Sequence, residues 1–299
     1  MARRVFRWLG YAVAGLIGLI AVAVGAVYAI SSARISKRYD VKPAPLAIPS
    51  DSATIARGRH LAEARLGCAG CHQPDLAGGT VVDDAMFGRF VAPNLTRGKG
   101  GVGGELADED WVRAVRHGVK RDGKPVLFMP SDEFHQLGAE ELAAVIAYAK
   151  QVPPVDKQQP PSKPGLIARA LVTFDPRVLP AAKVEHDAPP RSAPVPAVSA
   201  EYGSYLANTG GCRGCHGPDL VGGKSMEPGK PAPANLTPAG RLRQWSDTDF
   251  IRALREGKRP DGTAIDTSMP WKVMGKMTDD ELRALYLYLK SLPAKTASS

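Results

Sequence analysis

The pentapeptide Cys68-Ala69-Gly70-Cys71-His72 recurs as Cys212-Arg213-Gly214-Cys215-His216, and the two copies consume all four cysteines of the 299-residue chain. No other feature constrains the fold as tightly. A C-x-x-C-H segment reads as an attachment site for c-type haem. Each thiol forms a thioether to a vinyl group, and the adjoining imidazole is held where it meets the iron. Two residues between the cysteines suit one turn leading into a helix, with both sulfurs on the same side. Redox-dithiol, disulfide and zinc chemistry account for the pattern less well. Zinc-binding pairs usually stand about 15–20 residues apart, whereas 140 residues separate Cys71 from Cys212. None of these alternatives explains a histidine directly behind both pairs.

Around the motifs the chain repeats itself. Gly58-Arg59-His60-Leu61 matches Gly203-Ser204-Tyr205-Leu206, Pro74-Asp75-Leu76 matches Pro218-Asp219-Leu220, and Asn94-Leu95-Thr96 matches Asn235-Leu236-Thr237. Asp110 to Ala114 matches Asp249 to Ala253, Met129-Pro130 matches Met269-Pro270, and Glu141-Leu142 matches Glu281-Leu282. Each copy predicts three helices: one leading into the haem motif, one from near Asp108 or Ser246, and a last one before Pro153 or Pro293. Apolar residues at Leu142, Val145, Ile146 and Ala149, and at Leu282, Leu285, Tyr286 and Leu289, follow the i, i+3, i+4, i+7 pattern. Ser246 with Asp249 and Thr278 with Glu281 have capping-box spacing. No convincing run of alternating strand residues is seen. The fold expected is mainly α: an N-terminal transmembrane helix, then two tandem haem domains.

The N-terminal helix is read from the 23 uncharged residues Trp8 to Ile30, flanked by Arg3, Arg4 and Arg7 and by Arg34, Lys37 and Arg38. As a helix the run reaches roughly 34 Å, enough to cross a bilayer. A long signal sequence is the competing reading. Covalent haem attachment implies export, so the expected location is the inner membrane, single-pass, with the haem domains in the periplasm. The expected divisions are an anchor at 1–33, a tether at 34–50, haem domains at 51–155 and 199–299, and a linker at 156–198. Eleven prolines over 153–198 make the connection semi-stiff. An apolar island inside it, Leu166 to Phe174, is expected to lie as a short helix or strand on one haem domain.

Charge argues against a nucleic-acid partner. The formal net charge is +9, of which +6 falls in residues 1–50. Neither haem domain is strongly basic, so no basic stripe is present to track a phosphate backbone.

The sixth iron ligand must come from elsewhere, and methionine is the usual partner in c-type electron carriers. Met129 and Met269 are favoured, each ahead of a proline in the loop before the last helix; Met86 and Met226 are the rival pair. Met274 and Met277 read as packing, and His60, His117, His135 and His186 as structural or surface residues. The Asn-Leu-Thr pairs match a glycosylation sequon, but their repetition in step with the motifs points to a structural role. Trp111 and Phe250 share one repeat position and read as core.

Both repeats resemble class I cytochrome c domains. Asn235-Leu236-Thr237, Trp245-Ser246-Asp247, Phe250 to Gly257, Asp261-Gly262, Met269-Pro270 and Leu282 to Pro293 resemble the cytochrome c subunits of bacterial membrane-bound alcohol and gluconate dehydrogenases. The likeness covers about 200 of the 299 residues. Those subunits usually carry three haem domains, and this chain has two. The resemblance implies two covalent haems c on Cys68, Cys71, Cys212 and Cys215, with iron held by His72, Met129, His216 and Met269. It implies electron transfer rather than catalysis, with a dehydrogenase, a quinol-oxidising complex or a terminal oxidase as redox partner and membrane lipid around the first helix. A haem enzyme, such as a dihaem peroxidase or a thiosulfate dehydrogenase, is the alternative; it needs an open iron site, and both repeats offer a methionine.

Overall fold

The computed structural model describes residues 2–225 and 229–296. Helix α1, Ala2–Ile35, is one element of 34 residues, about 51 Å long at 1.5 Å per residue. Its large apolar side chains from Val5 to Val22 are exposed, and it is long and apolar enough to cross a membrane.

The repeats become two helical units. In the first, α2 (Ser52–His60) continues through a π-helical turn at Leu61–Arg65 to α3 (Cys68–His72), followed by α4 (Asp108–His117), α5 (Ser131–Phe134) and α6 (Ala139–Gln151). After the linker helix α7 (Leu166–Phe174), the second unit repeats the order as α8 (Ala200–Thr209), α9 (Cys212–His216), α10 (Asp247–Glu256), α11 (Trp271–Met274) and α12 (Asp279–Ser291). Both expected capping boxes form, Ser246 with Asp249 and Thr278 with Glu281. The first and last helices of each unit cross with their backbones in contact. A Cβ on Gly58 would stand 1.9 Å from the Ala144 carbonyl oxygen, and one on Gly203 1.9 Å from that of Ala284, so only glycine fits either crossing. Around these crossings Trp111, Leu142 and Ile146 fill one core, and Phe250, Leu282, Leu285 and Leu289 the other.

One difference between the units follows from a single residue. Gly58 to Cys68 is one residue longer than Gly203 to Cys212. The extra residue is absorbed where Leu66 N–H donates to Leu61 O, five residues back, the π-bulge by which helices accommodate such insertions. The bulge turns Arg65 into the seam between the units.

At that seam the units meet through equivalent surfaces, like a two-fold dimer folded into one chain. His60 Nε2 lies 2.8 Å from Glu281 of the second unit, and Tyr205, at the matching repeat position, donates to Glu141 of the first at 2.6 Å. Arg65 and Thr209, each three residues ahead of its haem motif, are bonded to each other at 3.0 Å. Arg65 also donates to Glu141 at 2.8 Å, with both side chains 1% exposed.

Three features differ from the sequence expectation. A small sheet is present: β1 (Gly79–Asp84) pairs antiparallel with β2 (Gly88–Ala92), and β2 with the two-residue β3 (Lys163–Pro164). Its strands escape pattern recognition because they are short, β1 is bulged after Thr80, and the third strand comes from the linker. The segment 34–50 is no free tether. Val41 is buried with Val119 and Ala181, and Leu46 and Ile48 pack on the first unit's core. The apolar island is indeed a helix, α7, but it lies against α1 as well as the first unit. Thr173 donates to Val27 O at 3.2 Å and Arg169 to Ser31 and Ser32 at 3.0 Å.

Candidate functional site

Each cysteine pair sits on a single helical turn, α3 or α9, entered through a glycine in the left-handed region (Gly67, φ 62°; Gly211, φ 77°). No disulfide joins any of the four cysteines. Burial pushes the Cys68 and Cys212 thiols up to about 12 and raises Cys71 and Cys215. Among the described residues no group of three or more His, Cys, Asp or Glu is placed to hold a metal ion.

The histidines behind the pairs are fixed in one tautomer. His72 Nδ1 lies 3.0 Å from Pro93 O, and His216 Nδ1 lies 2.7 Å from Ala234 O. A carbonyl only accepts, so Nδ1 carries the proton and Nε2 keeps its lone pair for a metal. Burial, only partly opposed by that bond, lowers both histidines below their ordinary value and keeps them neutral.

The loops that deliver the carbonyls are matched bond for bond. Gly78 N–H returns to His72 O and Gly222 N–H to His216 O, at 2.8 and 2.9 Å. Leu95 N–H reaches Leu76 O and Leu236 N–H reaches Leu220 O, both at 2.8 Å. Leu76 and Leu220 hold positive φ, 54° and 59°, a cost of order 1–3 kcal/mol for a non-glycine residue that these bonds and deep burial maintain. Asn94 and Asn235 clamp the loops to the exits of the last helices. Asn94 Nδ2 donates to Val155 O at 2.8 Å and Asn235 Nδ2 to Lys295 O at 2.7 Å. With those amides engaged, and Asn94 1% exposed, the sequon has the structural role expected of it.

The methionine loops repeat equally closely. Ser131 N–H donates to Met129 O and Trp271 N–H to Met269 O, both at 2.8 Å, while Val126 reaches Gly118 and Ile265 reaches Gly257, both at 2.7 Å. Met129 packs on the core cluster that Cys68 also touches, and Met269 on the cluster that contains Cys212. Met86 stands half-exposed in the turn between β1 and β2, and Met226 lies outside the described residues. Met274 and Met277 are buried packing, as expected, and so are Trp111 and Phe250.

The other histidines are structural, in ways their spacing did not reveal. His60 belongs to the seam. His117, His135 and His186 form one cluster in the first unit, with His117 and His186 Nδ1 atoms 3.3 Å apart. Burial and then the neighbouring histidines push His117 down to about 4, so it is neutral.

Glu133 was missed altogether. Its carboxylate oxygens stand 2.7 Å from where Cβ atoms of Gly211 and Gly214 would lie, against the second haem motif. Its carboxylate has no hydrogen-bond or ion-pair partner among the described residues. Burial first, and then Asp132, push it up to about 7, with Lys183 opposing. Its position after Met129 gives no local clue that the loop lies on the other unit.

Residues 200–293 match the family model described as "Cytochrome c", and residues 53–148 match "Cytochrome C oxidase, cbb3-type, subunit III". The chain is built of two cytochrome c domains. This tandem cytochrome is 30% identical over 285 residues to the cytochrome c subunit of alcohol dehydrogenase (quinone) from Gluconacetobacter polyoxogenes, covering 82% of this chain and 57% of that one. It is 29% identical to the fructose dehydrogenase cytochrome subunit of Gluconobacter japonicus, covering 82% and 54%, and 29% identical to the gluconate 2-dehydrogenase cytochrome c subunit of Pantoea cypripedii, covering 83% and 62%. The cytochrome thus spans less than two thirds of the length of these relatives. Those relatives are named as cytochrome subunits of dehydrogenases, and two domains of the cytochrome c family imply covalently bound haem c in this chain.

The residues fit that group. Two protonated thiols on one helical turn suit addition to vinyl groups, and the neighbouring neutral imidazole has its metal-binding nitrogen free. Trp111 and Trp271 each bury an indole N–H with no acceptor among the described residues, the type of donor a haem propionate accepts.

Proposed function

We propose that the chain is a membrane-anchored dihaem cytochrome c that relays single electrons on the periplasmic side of the inner membrane. The units at 51–155 and 199–299 each hold one haem, through Cys68 and Cys71 or Cys212 and Cys215. His72 with Met129, and His216 with Met269, supply the axial ligands. Bound haem supplies reversible one-electron chemistry at iron. The Nδ1–carbonyl bonds orient each imidazole, and the neutral thioethers of Met129 and Met269 would hold the iron against exogenous ligands and favour its reduced state. The donor is a dehydrogenase of the kind its relatives serve or a quinol-oxidising complex, and the acceptor is a further respiratory carrier or a terminal oxidase. Helix α1 confines the relay to the membrane surface and so raises its effective concentration near such partners.

The observation that carries this reading is the duplicated unit of two thiols and an imidazole pinned through Nδ1 to a loop carbonyl. Alkaline pyridine spectra should return two c-type haems per chain, and one or none would end it. Met129→Ala and Met269→Ala should each remove the weak methionine–iron absorption band of one haem and lower its potential. A spectrum unchanged in both variants would hand the ligand role to Met86 and Met226. Extraction in mild detergent should bring a dehydrogenase or a respiratory complex down with the haem-stained band.

A further inference from the structure

The linker helix α7 shows apolar residues on two faces. Ala168 and Val172 are buried, as packing on the protein requires. Ile167, Leu171 and Phe174, spaced i, i+4, i+7 and hence on one face, are 45%, 45% and 82% exposed. A linker helix in water would carry polar residues on that outer face.

Its register on α1 says what the outer face meets. Arg169 donates to the Ser31 and Ser32 hydroxyls and stacks over the Tyr28 ring at 4.6 Å, while Thr173, one turn on, reaches back to Val27 O. Helix α7 therefore runs antiparallel to α1, toward the apolar run that ends at Ile30. Val27 is three residues inside that run, a depth of about 4.5 Å, and Phe174 follows at the same level. A helix C-terminus at that depth would leave carbonyls with no water to bond. Arg34 provides for them: its Nη1 donates to Val172 O at 2.7 Å and Thr173 O at 2.8 Å, the head group of a long side chain anchored nearer the water. Beyond Phe174 the chain turns polar at once, with Asp175 paired to Arg177. At its other end α7 is tied to the first unit, Gly165 N–H to Phe87 O and Ile167 N–H to Met86 O, at 2.9 and 3.0 Å.

We propose that α7 is an interfacial helix whose Ile167, Leu171 and Phe174 enter the acyl boundary of the bilayer that α1 spans, giving the first haem unit a second lipid contact and a fixed tilt on the membrane. The proposal rests on reading α1 as a span, and its occupant is lipid, continuous with the apolar surface of α1.

The test uses the full chain in phosphatidylcholine vesicles, nitroxide-labelled in turn at Ile167→Cys, Leu171→Cys and Phe174→Cys, with Leu19→Cys and Val195→Cys as references and the unsubstituted chain as blank. Oxygen should relax the labels at 167, 171 and 174 more than a water-soluble nickel chelate does, as at 19, with the order reversed at 195. Lipid exposure at 19 with water exposure at 174 overturns the inference and leaves the span standing. Water exposure at both overturns the span and α7's role with it. A label at 174 shielded from both reagents means a second copy of the chain covers the face, and overturns the lipid assignment.

Discussion

The last helix of each unit carries a glutamate as its third residue, yet the two glutamates are satisfied differently. Glu281 reaches back to its own N-cap, accepting from Thr278 N–H at 2.8 Å, and also meets His60 across the seam. Glu141 has Gly138 where Glu281 has Thr278, and the cap is supplied by the other unit: the Tyr205 hydroxyl accepts from Gly138 N–H at 2.9 Å and donates to Glu141. The same reciprocity governs the haem motifs. Helix α5 sets Glu133 on Gly211 and Gly214, and α11 sets Val273, its repeat equivalent, 3.7 Å from a Cβ position on Gly67. The duplication thus preserved the contacts that build each haem loop and let the contacts between units diverge, leaving one motif beside a carboxyl and the other beside a methyl group.

Glu141→Ala should have the largest effect on this arrangement. It leaves Arg65 buried without its anion, a loss of about 3–5 kcal/mol, read as a fall in denaturant midpoint. Glu281→Ala removes a cap bond to Thr278 N–H and the partner of the partly exposed His60 and should cost clearly less; equal losses would break the contrast. Gly58→Ala and Gly203→Ala probe what the units share. Each forces apart a backbone contact at a cost of about 1–3 kcal/mol, and thermal unfolding should give both the same shift.

Glu133→Gln addresses the electrons. Above pH about 7 the native carboxylate is charged and would oppose reduction of an iron held by His216, so the potential of the proposed second haem should fall as pH rises through neutrality while the first stays flat. A tenfold difference in proton affinity between oxidation states is about 59 mV for one electron. The variant should hold the second haem at the low-pH value, and an unchanged slope would sever Glu133 from it.

The smallest effect belongs to His60→Gln. The bond to Glu281 raises His60 above 6.5; burial alone would raise Glu281, but the bonds from His60 and Thr278 outweigh it and hold it below 4.5. The pair's contribution is lost as pH rises through the raised histidine value or falls through the lowered carboxyl value. It is therefore largest between about pH 4.5 and 6.5, at roughly 1 kcal/mol for a pair whose histidine is partly open to solvent. Chemical unfolding across pH should show that increment vanish in the variant.

How much was legible before folding follows the range of each interaction. The paired thiols, the pinned histidines' identity, the capping boxes and the apolar stripes of α6 and α12 are local patterns, and the repeat multiplied their weight. The small sheet was not legible, because its third strand arrives from Lys163, far along the chain. Nor was His60, whose replacement by Tyr205 looked like loss of a role when both residues perform the same one.

By itself, the sequence determined that two equivalent cytochrome c units follow an apolar helix, because the C-x-x-C-H pattern and helical periodicity are written within a few residues. Only the tertiary structure decided how the units face each other, that Arg65 and Glu141 close the seam, and that α7 folds back on α1. Those contacts join residues 76 to 221 positions apart, and which surfaces meet depends on shape and charge that exist only once both units have folded.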